Sequence, residues 1–150
     1  MSNFSAAQAT ALFKAIQSYA SELGIFTNVD LHEPWNAPGN RLFCSINLGT
    51  VRPVMSSGLA SVSGQVTLVI RIWSSALQKP LDGIDPEILS AACSLMGAFA
   101  GGFTLGNTVR DVDLMAMSAQ PAYVDFEGKP FRVVEISIGI VVNDMFTEVA

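Results

Sequence analysis

The stretch that most limits the fold is "FRVVEISIGIVV", residues 131–142. Arg132, Val134, Ile136, Ile138, Ile140 and Val142 fall on one side of it, and Phe131, Val133, Glu135, Ser137 and Gly139 on the other. A period of two sustained this long belongs to a strand, because a helix would scatter the same residues around its axis. One side of that strand is apolar almost throughout and must be covered by another layer of structure.

Two segments can supply the cover. Residues 5–23 place Leu12, Ile16, Tyr19 and Leu23 at helical spacing, with Ser5 as N-cap and Gly24 where a left-handed residue ends a helix. A second helix is expected to start at Asp85 as N-cap, with Pro86 in the first helical position and Glu87 beside the positive end of the dipole. Its core stripe is Ile88, Ala92, Leu95, Met96 and Phe99, and the glycines at 101–102 stop it.

Further strands are expected where Leu42, Cys44, Ile46 and Leu48 alternate, where Val66, Leu68, Ile70 and Ile72 alternate, and more modestly around 108–117 with Val112 and Leu114 on one face. Residues 25–34 allow a short strand at most. Pro53 belongs at an edge or outside the ladder, residues 55–64 read as a small-residue loop, and "EGKP" at 127–130 as a hairpin turn. The order helix, strands, helix, strands predicts one α+β domain over 1–150: a mostly antiparallel (mixed) β-sheet, two main helices packed on one face, and long loops.

The chain of 150 residues is long enough to bury a core without disulfides or metals. Only 14% of it is charged, against a usual share of about a quarter, so some apolar surface is expected to end against other subunits. The net charge of −5 and the scattered basic residues argue against grip on DNA or on anionic membranes. Residues 88–109 carry no charge, but Ser, Asn and glycines break them up, leaving about 15 residues where a span requires about 20. The N-terminus lacks the basic and apolar regions of a signal peptide. Cys44 and Cys93, each among apolar neighbours, read as small hydrophobes, and no disulfide is needed.

Reactive chemistry finds little support. "HEPWN" at 32–36 begins like the zinc-protease pattern, but Asn36 replaces the second histidine and Pro34 prevents the helix. His32 is the only histidine, which excludes a histidine-rich zinc site. No serine sits in a nucleophile elbow, and "GGFTLG" at 101–106 has neither phosphate-loop spacing. Asp82, Asp85 and Glu87, and separately Asp111, Asp113, Asp125 and Glu127, lack the spacing of a calcium loop. The residues therefore point to no enzyme, no cofactor and no metal. A small-ligand domain or minor enzyme using Asp111, Asp113 and His32 is the alternative from another class.

Five segments together carry a resemblance: "HEPWNAPG" (32–39), "SSGLASVSGQVTLVIRIWSS" (56–75), "DGIDPEILSAACSLMGAF" (82–99), "GGFTLGNTVRDVDL" (101–114) and "AYVDFEGKPFRVVEISIGIVVND" (122–144). Over nearly the whole chain the sequence resembles a family of actinobacterial phage and prophage structural proteins, associated with the tail terminator, or tail completion, proteins of long-tailed phages. The resemblance implies a homo-oligomeric ring, a hexamer, at the head-proximal end of the virion tail, assembled in the host cytoplasm. Its partners would be copies of itself, the tail tube protein and the head–tail connector or stopper protein, with DNA passing through the lumen without specific binding and no membrane involved. A head completion or stopper protein and a tail tube protein are the nearest alternatives. The expected interface residues are Pro34, Trp35, Asn36 and Pro38 in a proline-shaped loop, Met55, Ser56, Ser57, Gly58 and Leu59 in the Ser/Gly loop, and Trp73.

Overall fold

The computed structural model describes residues 4–36, 41–56, 61–77, 80–101 and 111–147. Along the chain these form α1 (Ala6–Glu22), β1 (Val29–Asp30), β2 (Phe43–Ser56), β3 (Ser61–Ser75), a 3-10 turn (Leu81–Gly83), α2 (Ile84–Gly101), β4 (Asp111–Phe126) and β5 (Lys129–Thr147). The fold is α+β. Five strands make one open sheet in the order β1-β2-β3-β5-β4, parallel between β1 and β2 and antiparallel elsewhere.

Local chemistry explains the helix ends. Ser5 Oγ accepts from the Gln8 amide at 3.2 Å, and Gln8 Oε1 accepts from the Ser5 amide at 2.8 Å, so two orphan donors of α1 are satisfied at once. Past the other end Gly24 has φ +68°, the left-handed conformation that stops a helix cheaply. The start of α2 differs from expectation. It begins at Ile84, and Asp85 lies in its first turn, where its carboxylate takes a hydrogen bond from Arg132 Nε at 2.9 Å. An acidic group there complements both the dipole and the arginine.

Both helices lie on the face of the sheet that the alternation marks as apolar. Leu12, Ile16 and Ala20 of α1 and Ile84, Ile88, Ala91, Ala92, Leu95 and Phe99 of α2 bury against Ile46, Leu68, Ile70, Ile72, Ile136, Ile138 and Ile140. Ile46 pairs with Ile70 and Ile70 with Ile136, so three isoleucines stand abreast and fully buried. Each such side chain contributes about 1.5–3 kcal/mol relative to exposure. Cys44 lies in this core, whereas Cys93 is exposed on α2.

The opposite face carries no helix among the described residues. At one end of it Phe43, Trp73, Phe131 and Val133 form a second buried cluster, with Val124 and Phe126 packed against it. Trp73 is 2% exposed and its Nε1 donates to Ser45 Oγ at 3.1 Å. It is a core residue of the folded chain and not a displayed interface anchor; the position at the end of an alternating run allowed either role.

The expected loop over 55–64 is shorter than the sequence implies. β2 runs through Pro53 to Ser56, and β3 already starts at Ser61. Pro53 fits because β1 pairs only with Cys44 and Ser45, leaving the rest of β2 as an edge strand. β4 is the other edge and runs to Phe126, past the modest strand expected around 108–117. The turn joining β4 to β5 has Glu127 at φ 52° and Gly128 at φ 76°, the pair of positive angles that a tight hairpin requires.

Both edges are irregular. On β2 the pairing shifts by one residue between Leu48 and Thr50, leaving Gly49 extra. On β4 residues 114–117 separate Asp113, opposite Gly139, from Ser118, opposite Ser137. Each edge also holds one proline, Pro53 and Pro121, which has no N–H to offer a neighbouring strand.

A candidate docking interface

The loop after β1 is pinned to the bare face of the sheet. Arg71 on β3 and Glu135 on β5 are direct cross-strand partners, and Arg71 Nε donates to Glu135 Oε2 at 3.1 Å. Arg71 also donates through NH1 to Glu33 Oε1 at 2.5 Å, and Asn47 Nδ2 on β2 donates to the same oxygen at 2.7 Å. One loop carboxylate is thus tied to two strands, and through Arg71 to a third. These side chains are about two-fifths exposed, so each ion pair is worth about 0–1 kcal/mol. Their effect is on position more than on stability.

Within the loop, His32 Nδ1–H donates to the Glu33 carbonyl at 2.8 Å, while the ring is exposed. The histidine is used locally. Pro34 is buried, which seats the loop, and Trp35 beside it is 84% exposed. Asn36 is exposed as well. Of the expected interface residues, Trp35 and Asn36 are therefore on the surface and Pro34 anchors them from beneath. Met55 and Ser56 end β2; Pro38, Ser57, Gly58 and Leu59 lie outside the described residues.

Glu33→Ala is expected to lower global stability by at most about 1 kcal/mol. It should nonetheless speed amide hydrogen exchange across residues 31–36 relative to the rest of the chain. Exchange mass spectrometry on the two proteins checks this.

A second polar line crosses the bare face nearer the other end. Arg52 on β2 donates to Gln65 Oε1 at 3.0 Å from Nε and 2.6 Å from NH2, and Gln65 Nε2 donates to Asp113 Oδ2 at 3.5 Å. Sequence reading missed both lines. The signal was available in the lone charged or amide side chains on otherwise apolar strands, but pairing them needs the register.

The far edge holds a groove of about 430 Å³ between the first half of α2 and β4. Pro86, Leu89 and Ala92 form its helix wall, Ala119 and Pro121 its strand wall and Val134 its floor. Leu89 is 64% exposed beside it. At the rim, Asp85 holds Arg132, whose guanidinium lies 4.2 Å from the centre of the Tyr123 ring.

The structure does not bring the proposed small-ligand trio together. His32 follows β1 and Asp113 lies on β4, with β2, β3 and β5 between them; Asp111 begins β4. Among the described residues no three His, Cys, Asp or Glu side chains converge on a point where a cation would fit. No described helix is long and apolar enough to cross a membrane. No known family model matches the chain, and no curated protein matches it in sequence.

Proposed function

We propose that the chain is a structural subunit of a phage virion, forming a ring that ends the tail tube and joins it to the head connector. The observation that carries this reading is Trp35, a large aromatic held out to solvent beside the buried Pro34 and next to Glu33, which is bonded to two strands. A rigid exposed tryptophan is a costly thing to leave in water and a strong anchor once covered. The low charged fraction and the resemblance described above support the same conclusion.

In this role the chain works without chemistry. Copies related by rotation place the same contact at every junction, so the ring closes on itself at a set count, six by the resemblance. One rim meets the tail tube protein and the other the connector or stopper. A chain with net charge −5 presents DNA with like charge, which lets the genome pass through the channel without adhering.

Light scattering on the purified protein is expected to give a mass six times that of the 15.9 kDa chain. Immunogold labelling of virions should mark only the head–tail junction. Label along the whole tail would reassign the chain to the tube, and a monomer absent from particles would end the structural reading.

A further inference from the structure

The two ends of the sheet differ in a way that fits one copy against the next. At the β1 end stands Trp35 on its pinned loop; at the β4 end lies the apolar groove. We infer that Trp35 of one copy seats in the α2–β4 groove of its neighbour, repeated head to tail around the assembly. This rests on the ring reading above and names the surface by which the ring is joined.

Strand register supports the match. Glu33 bonds to Asn47 and Arg71, and Arg71 pairs with Ser45, so the loop is held at the rows of Ser45 and Asn47. Across the sheet Ala119 pairs with Ile136, Ile136 with Ile70 and Ile70 with Ile46; Pro121 leads likewise through Val134 and Ile72 to Cys44. The groove therefore lies at the rows of Cys44 and Ile46. Knob and groove occupy the same level at opposite ends of the sheet, the loop tethered from the bare face and the groove open on the helix face. A neighbour set edge on and turned about the strand direction therefore brings them together without sliding.

Charge agrees in that same placement. β2 (Phe43–Ser56) contains Arg52 and no carboxylate, whereas β4 (Asp111–Phe126) contains Asp111, Asp113 and Asp125 and no lysine or arginine. Arg52 pairs with Gln65, Gln65 with Val141 and Val141 with Asp111. The alignment that puts Trp35 at the groove thus puts the row of Arg52 beside the row of Asp111, with Asp113 close by. Past Asp30 and Glu33 on the same edge, Arg52 meets acidic residues at that level, which favours a second copy over a partner that is basic there. A volume of about 430 Å³ walled by proline, leucine and alanine has room for an indole and gives it apolar contact on several sides.

The contact is heterologous, since the surface a copy offers is not the surface it receives. Trp35→Ala and Leu89→Arg, both at exposed positions, are each expected to raise the concentration for half-assembly on the order of thirty-fold or more, the effect of losing a hot-spot side chain. Far-ultraviolet circular dichroism should leave the two variants folded. In a Cys93→Ser background, chains that keep Trp35 and Leu89 but carry both Asn36→Cys and Ala119→Cys, at exposed positions beside the knob and in the groove wall, should form disulfide-linked ladders under mild oxidation, climbing through dimer and trimer to the closed ring. Rings that form normally with Trp35→Ala and give no ladder would overturn this inference while leaving the ring reading in place. A ladder that stops at dimer would also overturn it, because the contact would then be reciprocal. A wild-type chain that stays monomeric at high concentration defeats the ring reading first, and this contact with it.

Discussion

Trp73→Ala is expected to lower the free energy of unfolding by about 3–5 kcal/mol, the range for deleting a buried aromatic ring. The indole is 2% exposed, edge-on to Phe126 and Phe131 at ring-centre distances of 6.2 and 6.0 Å, and hydrogen-bonded to Ser45. Its loss leaves a cavity on the face where no helix among the described residues can collapse into it, and strips the buried Ser45 hydroxyl of its donor. Urea titration followed by circular dichroism measures the change. Ser45→Ala separates the two contributions: it should cost about 1–3 kcal/mol, the penalty for an indole N–H left buried without an acceptor. A Trp73→Ala protein of unchanged stability but impaired assembly would return Trp73 to the interface role that the sequence had allowed.

Stability is also expected to fall at alkaline pH through one thiol. Cys44 is buried in the main core at the end of the sheet where β1 pairs with β2, and burial, with a smaller push from the Asp30 carboxylate, raises its pKa to about 12 from near 9. The raised value means that the folded thiol stays protonated while the unfolded one ionises. The stabilisation is complete below about pH 9 and is lost progressively as pH climbs toward 12. The whole window amounts to roughly 4 kcal/mol at about 1.36 kcal/mol per unit. Cys44→Ala should be somewhat less stable at neutral pH, yet should lose less stability than the wild type between pH 9 and pH 11. Parallel slopes for the two proteins would show that the thiol ionises as freely in the folded chain as in the unfolded one. Cys93, exposed on α2, should meanwhile react with a thiol reagent in the native protein, and Cys44 only after unfolding.

Fold class was legible because the strongest signals are local. The alternation over 131–142 and over 65–73 gives the inner and outer face of β5 and β3 residue by residue, and spacings of three and four give the buried stripe of each helix. Cap chemistry succeeded at Ser5 and Gly24, where the partners lie within a few residues. It failed at Asp85, because the group that claims that carboxylate is Arg132, far along the chain on β5. Strand lengths were underread on both edges. An edge strand is not required to alternate cleanly or to exclude proline, so β2 beyond Leu48 and β4 beyond Met117 look like loop in the sequence.

The candidate interface was half visible. The prolines and tryptophan of 32–38 announce a shaped loop, but nothing in the sequence reveals that Glu33 is its tether, since Asn47 and Arg71 meet it, with Glu135 holding Arg71, only once three strands are in register. The groove was invisible for the same reason: Leu89 and Pro121 are unremarkable until α2 is laid across β4. Trp73 misled because its residue type fits both a core and a contact surface.

The roughened borders of the sheet carry a further consequence. A smooth strand margin invites run-on growth, each arrival exposing a fresh template for the next, with no step at which accumulation ends. Here Gly49, the detour through residues 114–117, and prolines on both margins deny a newcomer a continuous row of amides. In the ring proposed above, association would be left to shape and charge, and the angle between successive copies would decide how many fit before the last meets the first. Margins of this kind suit the countable object proposed above and are poorly suited to making a fibre.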